Sequence, residues 1–143
     1  MKIILDTNVI IAAFLTRGLC SALFELCLDR FEVFLSAPIL QETAAHLKDK
    51  VKLPDAQCRM IDAYLRANGS ISEIDEVDPS VCRDPNDLHV LGLAQHVAAH
   101  FIITGDKDLL DMRRHRDTRI VTPREFWEIA KECPPKMSPM DTH

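Results

Sequence analysis

Glycine is scarce in this chain. Only Gly18, Gly69, Gly92 and Gly105 occur, and none forms a phosphate-binding loop, which sets nucleotide-binding folds aside. Aromatic side chains are few as well: with one Trp and one Tyr, platforms on which nucleobases could stack are scarce. The five cysteines (Cys20, Cys27, Cys58, Cys82, Cys133) are odd in number and show no C-x-x-C spacing, which argues against a disulfide framework or a zinc cluster. No apolar run reaches transmembrane length, and Asp6 interrupts the N-terminal apolar segment. The sequence therefore predicts no membrane association, no signal peptide and a cytoplasmic protein. Positive charge is also in the minority, and a net charge of −5 does not suit a broad basic face on duplex DNA. It leaves room for a carboxylate site whose bound cations would offset the charge.

What is present fits one soluble domain: 143 residues, 47% hydrophobic and 27% charged, enough to bury a single core. The expected organisation is a folded domain over residues 1–133 and a disordered tail over 134–143, where PPKMSPMDTH is rich in proline. Lys2 to Leu5 reads as a short buried strand, Val9 to Leu15 as an apolar helix, and Leu19 to Phe31 as another helix. Glu32 to Ser36 reads as a strand, with Ser36 the N-cap of a helix through about Lys48 that tolerates Pro38 in its first turn. Pro54-Asp55 opens a helix that Asn68-Gly69 is expected to end with a left-handed stop. Ser70 to Val77 alternates as a weaker strand, a helix spans about Pro85 to His100, and Phe101 to Thr104 is a buried strand. A short helix at Lys107 to Met112, a strand at Arg119 to Thr122 and a helix at Pro123 to Cys133 complete the order. Strands alternating with helices imply right-handed crossovers and a parallel sheet covered on both faces.

Two of these strands end alike, in IIL-Asp6 and in FIITG-Asp106. In an open parallel sheet the site lies outside the carboxyl ends of the strands where their order reverses, so neighbouring strands would open both carboxylates into one crevice. Glu42, in the helix after the second strand, and Asp87, in the first turn of the helix before the fourth, fall near the same edge. Each acid alone has an ordinary explanation as a helix cap or a solvated face. Four converging carboxylates without matching Lys or Arg would repel one another and need cations. All-oxygen ligands select Mg²⁺ or Mn²⁺, the ions of phosphodiester hydrolysis. His96 and His100 stand four apart on a helix but have no evident third ligand, which favours a surface or packing role over zinc. None of the six histidines is well placed as a general base. The cluster Arg113-Arg114-His115-Arg116 reads as a solvated helix end and loop, with phosphate contact the minority option.

The combination Ile4-Leu5-Asp6-Thr7-Asn8-Val9, Glu42 in LQE, Arg83-Asp84-Pro85-Asn86-Asp87 before an apolar helix, and Ile103-Thr104-Gly105-Asp106-Lys107-Asp108-Leu109 resembles the PIN-domain nucleases, and within them the VapC-like toxins of toxin–antitoxin pairs. The resemblance covers residues 2 to about 127. It implies an α/β fold of three layers, with a five-stranded parallel sheet flanked by helices, and a Mg²⁺- or Mn²⁺-dependent endoribonuclease. Carried over residue by residue, it makes Asp6, Glu42, Asp87 and Asp106 the catalytic and metal-binding acids, with Asn8, Thr104 and Asp108 as supports. It further implies a cognate antitoxin partner and a homodimer. A haloacid-dehalogenase-type phosphotransferase also begins with an aspartate after its first strand, but its second acid would fall at the position held by Asn8. A non-catalytic PIN or receiver-like module is disfavoured by the presence of all four acids.

Overall fold

The computed structural model describes residues 1–132, so the tail expected over 134–143 lies outside the described residues. Strand β1 (Lys2–Leu5) leads through Asp6 into α1 (Thr7–Leu15), and α2 (Leu19–Arg30) returns the chain to β2 (Glu32–Leu35). Then come α3 (Ala37–Asp49), α4 (Asp55–Asn68) and β3 (Ser70–Ile71), followed by single 3₁₀ turns at Pro79–Val81 and Pro85–Asp87. The last part comprises α5 (Leu88–Val97), β4 (Phe101–Ile103), α6 (Lys107–Met112), β5 (Arg114–His115), β6 (Thr118–Val121) and α7 (Pro123–Lys131).

The sheet runs in the order β3-β2-β1-β4-β6-β5. Its first five strands are parallel, and only β5 runs antiparallel, against β6. The five-stranded parallel sheet expected from the sequence is present, with one edge strand added. Ile3, Ile4 and Leu5 are fully buried because β1 is paired on both sides and covered on both faces. The chain moves outward from β1 to β2 and β3, then crosses back to β4 on the other side, so the order reverses between β1 and β4. Asp6 and the loop after β4 leave the sheet at that point.

Local sequence explains the helix starts. Asp6, Ser36, Asp106 and Thr122 each accept a backbone N–H of the helix that follows, as N-cap side chains do. Phe126 of α7 is buried edge-on between Phe31 and Phe101, with ring centroids 5.6 and 5.2 Å away, and so fixes α7 to the sheet. Among the described residues no single helix is long and apolar enough to cross a membrane.

Several expectations are corrected. Gly69 is not left-handed: its φ is −102°, because the chain runs straight from α4 into β3. Glycine is needed there for space, since a Cβ would stand 2.6 Å from Leu35 Cδ1. The strand expected to reach Val77 stops at Ile71. Beyond it the Asp75 N–H donates to the Gly92 carbonyl of α5 at 3.1 Å instead of to a neighbouring strand. The helix expected over Pro85 to His100 begins as a 3₁₀ turn and stops at Val97, where Ala98 takes φ 55°. The Arg113 to Arg116 stretch is not simply a helix end and loop, because Arg114–His115 form β5. His100 Nδ1 accepts the Lys2 backbone N–H while His96 Nδ1 pairs with Asp75, so each histidine has its own partner.

Candidate metal centre

Thr104 organises the crevice between β1 and β4. Fully buried, its hydroxyl donates to Asp6 Oδ2 at 2.7 Å and accepts the Asp106 backbone N–H at 2.9 Å. One side chain thereby sets the direction of the first acid and the approach of the last. The other Asp6 oxygen accepts the Thr7 N–H at 2.8 Å. Asp6 is also the N-cap of α1, so the capping role and a place in the acid cluster coincide. Burial raises its pKa against the lowering hydrogen bonds from Thr104 and Thr7, and the nearby charges of Asp106 and Glu42 raise it further.

Asp106 caps α6 through Oδ1, which accepts the Asp108 N–H at 2.8 Å. Glu42 reaches the rim from α3: Oε2 accepts the Thr7 hydroxyl at 3.1 Å, and Oε1 lies 2.7 Å from His89 Nε2. Asn8 is exposed at the same rim, its amide nitrogen 3.8 Å from the position a Cβ on Gly105 would take. A side chain at position 105 would therefore sit in ordinary contact with Asn8.

Asp87 is only 6% exposed, and its Oδ2 is buried without a hydrogen-bond partner. Burial pushes its carboxyl up to about 8, and the contact with Asp106 and the charges of Asp106, Asp6 and Asp84 add to the effect. The carboxylate does not cap α5. The cap of the preceding 3₁₀ turn is Asp84, whose Oδ1 accepts the Asn86 N–H at 2.9 Å. Asp84, Asp87 and Asp108 each offer an oxygen within 4.8 Å of the others; of the four acids expected to bind metal, this close group contains only Asp87, while Asp84 also caps a turn. Arg83 approaches that flank, 3.7 Å from Asp108 and 3.6 Å from Asp111, with its side chain 77% exposed. Among the described residues no Lys or Arg pairs with Asp6, Glu42, Asp87 or Asp106.

A buried carboxylate oxygen with no donor, inside a set of acids with no Lys or Arg partner, fits a hard divalent cation; without one, Asp87 keeps its proton against Asp106. Spacing along the sequence gives none of the six histidines a role beside these acids. His89 nevertheless holds Glu42, two residues beyond Asp87 on the same helix entry. No local pattern announces that pairing, since it joins positions 47 apart.

The raised acids fix the sign of a pH effect. In the unfolded chain an aspartate titrates near about 3.9, whereas folded Asp87 holds its proton to about 8. Its contribution to stability is fully present below the lower value, falls as the unfolded chain gives up a proton that the folded chain keeps, and is lost above the higher one. In EDTA the melting temperature should therefore decline as pH rises toward 8, more steeply than in Asp87→Asn. Saturating Mn²⁺ should flatten the decline. Calorimetry across this range checks it, and parallel pH profiles for the two proteins would contradict it.

Residues 2–108 match the family model described as PIN domain. The chain is 31% identical to an uncharacterized protein of Methanocaldococcus jannaschii, over 90% of each chain. It is also similar to the crystal structure of VapBC2 from Rickettsia felis bound to a DNA fragment from their promoter, with a TM-score of 0.61 and 18% identity, covering 85% of this chain and 98% of that chain. At that identity the likeness concerns the fold.

Proposed function

We propose that this chain, which belongs to the PIN-domain family, is a Mg²⁺- or Mn²⁺-dependent endoribonuclease and the toxin of a toxin–antitoxin pair. The observation that carries the nuclease reading is the buried, unpartnered oxygen of Asp87 among acids that have no Lys or Arg counterpart. Asp6, Glu42, Asp87 and Asp106 would hold the cation, with Asp108 at its flank. The chemistry a bound cation supplies is activation of a water and neutralisation of charge on the phosphate and the leaving oxygen.

The chain's own residues do the positioning. Thr104 fixes Asp6 and tethers the backbone at Asp106. Thr7 and His89 hold the two oxygens of Glu42, so that acid presents a defined direction despite its exposure. Asn8 and Gly105 lie together at the rim, both exposed, where a phosphodiester would approach. An antitoxin partner, a homodimer and work in the cytoplasm belong to the same proposal. Their support is the family and the likeness to VapBC2.

Cleavage of a labelled single-stranded RNA should require Mg²⁺ or Mn²⁺ and vanish in EDTA. Equal cleavage in excess chelator overturns the reading. In the same assay Asp106→Asn should cost about 100-fold or more and Asp108→Asn clearly less, since loss even of a residue that merely orients a ligand costs about 10–100-fold. Asp106 lies against Asp87, whereas Asp108 shares its charge with Arg83. Equal or reversed losses would place the ligand wrongly.

A further inference from the structure

A cavity of about 530 Å³ lies along β6, walled by Arg113, Arg114 and Arg119 together with Leu110, Thr122 and Glu125. It begins close to the acids: the Thr104 backbone N–H donates to the Val121 carbonyl at 3.0 Å, and Val121 borders the cavity. With strands about 4.8 Å apart and Arg119 level with Phe101, two residues short of the strand ends that carry the acids, Arg119 stands about 12 Å from the end of β1, too far for the scissile phosphate and within reach of a nearby nucleotide. The helix α6 spans the same interval, capped by Asp106 at one end and by Arg113 at the other.

None of the three guanidinium groups has an ion-pair partner among the described residues. The neighbouring Arg116 acts instead on Asp75. Arg119 lies over the Phe101 ring, 5.5 Å from its centroid. The one acid in the wall, Glu125, is held by the backbone of α7, where its Oε1 accepts the Thr122 N–H at 3.1 Å. Arg113 takes φ 62°, a left-handed conformation unfavourable for arginine. It is kept by its own N–H to the Leu110 carbonyl at 3.1 Å and by the Ile120 N–H to its carbonyl at 2.9 Å. Outliers of this kind concentrate at ligand sites.

A crevice of carboxylates repels a polyanion, so a nuclease built this way needs positive charge beside it to hold the strand. Guanidinium groups suit that task because their planar N–H pairs match phosphate oxygens. Resting on the ribonuclease reading above, we infer that the cavity lined by Arg113, Arg114 and Arg119 binds a backbone phosphate of single-stranded RNA one or two nucleotides from the scissile bond.

Fluorescence anisotropy of a labelled single-stranded RNA oligonucleotide with the full chain in Ca²⁺, repeated over a series of KCl concentrations, tests this. Arg113→Gln/Arg114→Gln and, separately, Arg119→Gln should weaken binding about tenfold. Each should lower the slope of log affinity against log salt by about 0.7 for every phosphate that is no longer neutralised. The rise in melting temperature on adding Mn²⁺ should stay as in the wild type, because no acid is altered. Because Arg119 packs on Phe101, the exposed Arg113/Arg114 pair keeps the test valid if Arg119→Gln folds poorly. Arg66→Gln, on α4 and paired to Asp62, is the control. Unchanged affinity and slope in the Arg113/Arg114 variant, or an equal loss in the control, overturns the assignment while leaving the ribonuclease reading in place. A wild-type protein that gains stability from Mn²⁺ yet binds no RNA overturns both.

Discussion

Asp87→Asn should abolish RNA cleavage and at the same time leave the metal-free protein as stable as the wild type or more so. The two effects share one cause. The Asp87 carboxylate is buried, one of its oxygens has no donor, and Asp106, Asp6 and Asp84 act on it with charge of its own sign. A buried unsatisfied polar group costs on the order of 1 kcal/mol or more. The first-turn position returns about 0.3–1 kcal/mol through the helix dipole, too little to reverse the balance. An amide cannot ionise, so it is spared the repulsion that the carboxylate meets as the pH approaches about 8, keeps the shape and gives up the metal. Melts in EDTA should show no decrease, melts in Mn²⁺ a smaller rise than the wild type, and the RNA assay no product. A variant that melts earlier in EDTA and still cuts RNA would return Asp87 to the role of a helix residue.

Gly92→Ala should lower the melting temperature by several degrees, although alanine is the better helix former. A Cβ at position 92 would run into the Asp75 carbonyl oxygen. The clash is with backbone, so no flexible side chain can swing aside. Alanine gains about 0.8–1 kcal/mol of intrinsic helix preference, and overpacking against a rigid neighbour costs about 1–3 kcal/mol. The loss wins. It would be realised by lifting the Asp75 segment off α5, which breaks the Asp75 N–H bond to the Gly92 carbonyl and the hydrogen bonds of its carboxylate with Gln95 and His96. Calorimetry decides it, and a Gly92→Ala protein melting at or above the wild type would show that the segment is free to move.

The part of this molecule that could be read from sequence is the part dictated locally. Continuous apolar runs gave β1 and β4, Ser36 marked where α3 starts, and α6 falls at Lys107–Met112, where a short helix was expected, whereas α1 starts two residues before Val9, at Thr7. The two strand-ending acids reach one crevice because alternating elements leave few topologies open. What could not be read depends on distant partners or on backbone geometry that the residue type does not advertise. Strand β5 is two residues long and is framed by Arg113 at φ 62° and Arg116 at φ 53°, where arginine gives no turn signal. The stretch after Ile71 alternates like a strand, yet its backbone is drawn to α5. The grip of His89 on Glu42 and the approach of Asp84 and Asp108 to Asp87 need three-dimensional coordinates, because each role can be filled by a residue type common on any surface.

The hydrogen bond from Thr104 to Asp6 joins residues 98 positions apart, and that separation bears on when activity can arise during synthesis. A ribosome delivers Asp6 well before Thr104, with three strands and five helices made in between. Until β4 inserts beside β1, Asp6 has neither its orienting hydroxyl nor Asp106 as a neighbour, and Asp87 is not yet confined. Closing so long a loop is slow compared with forming the local helices. On the proposed ribonuclease function, the site is assembled in one late step, when the centre of the sheet is completed.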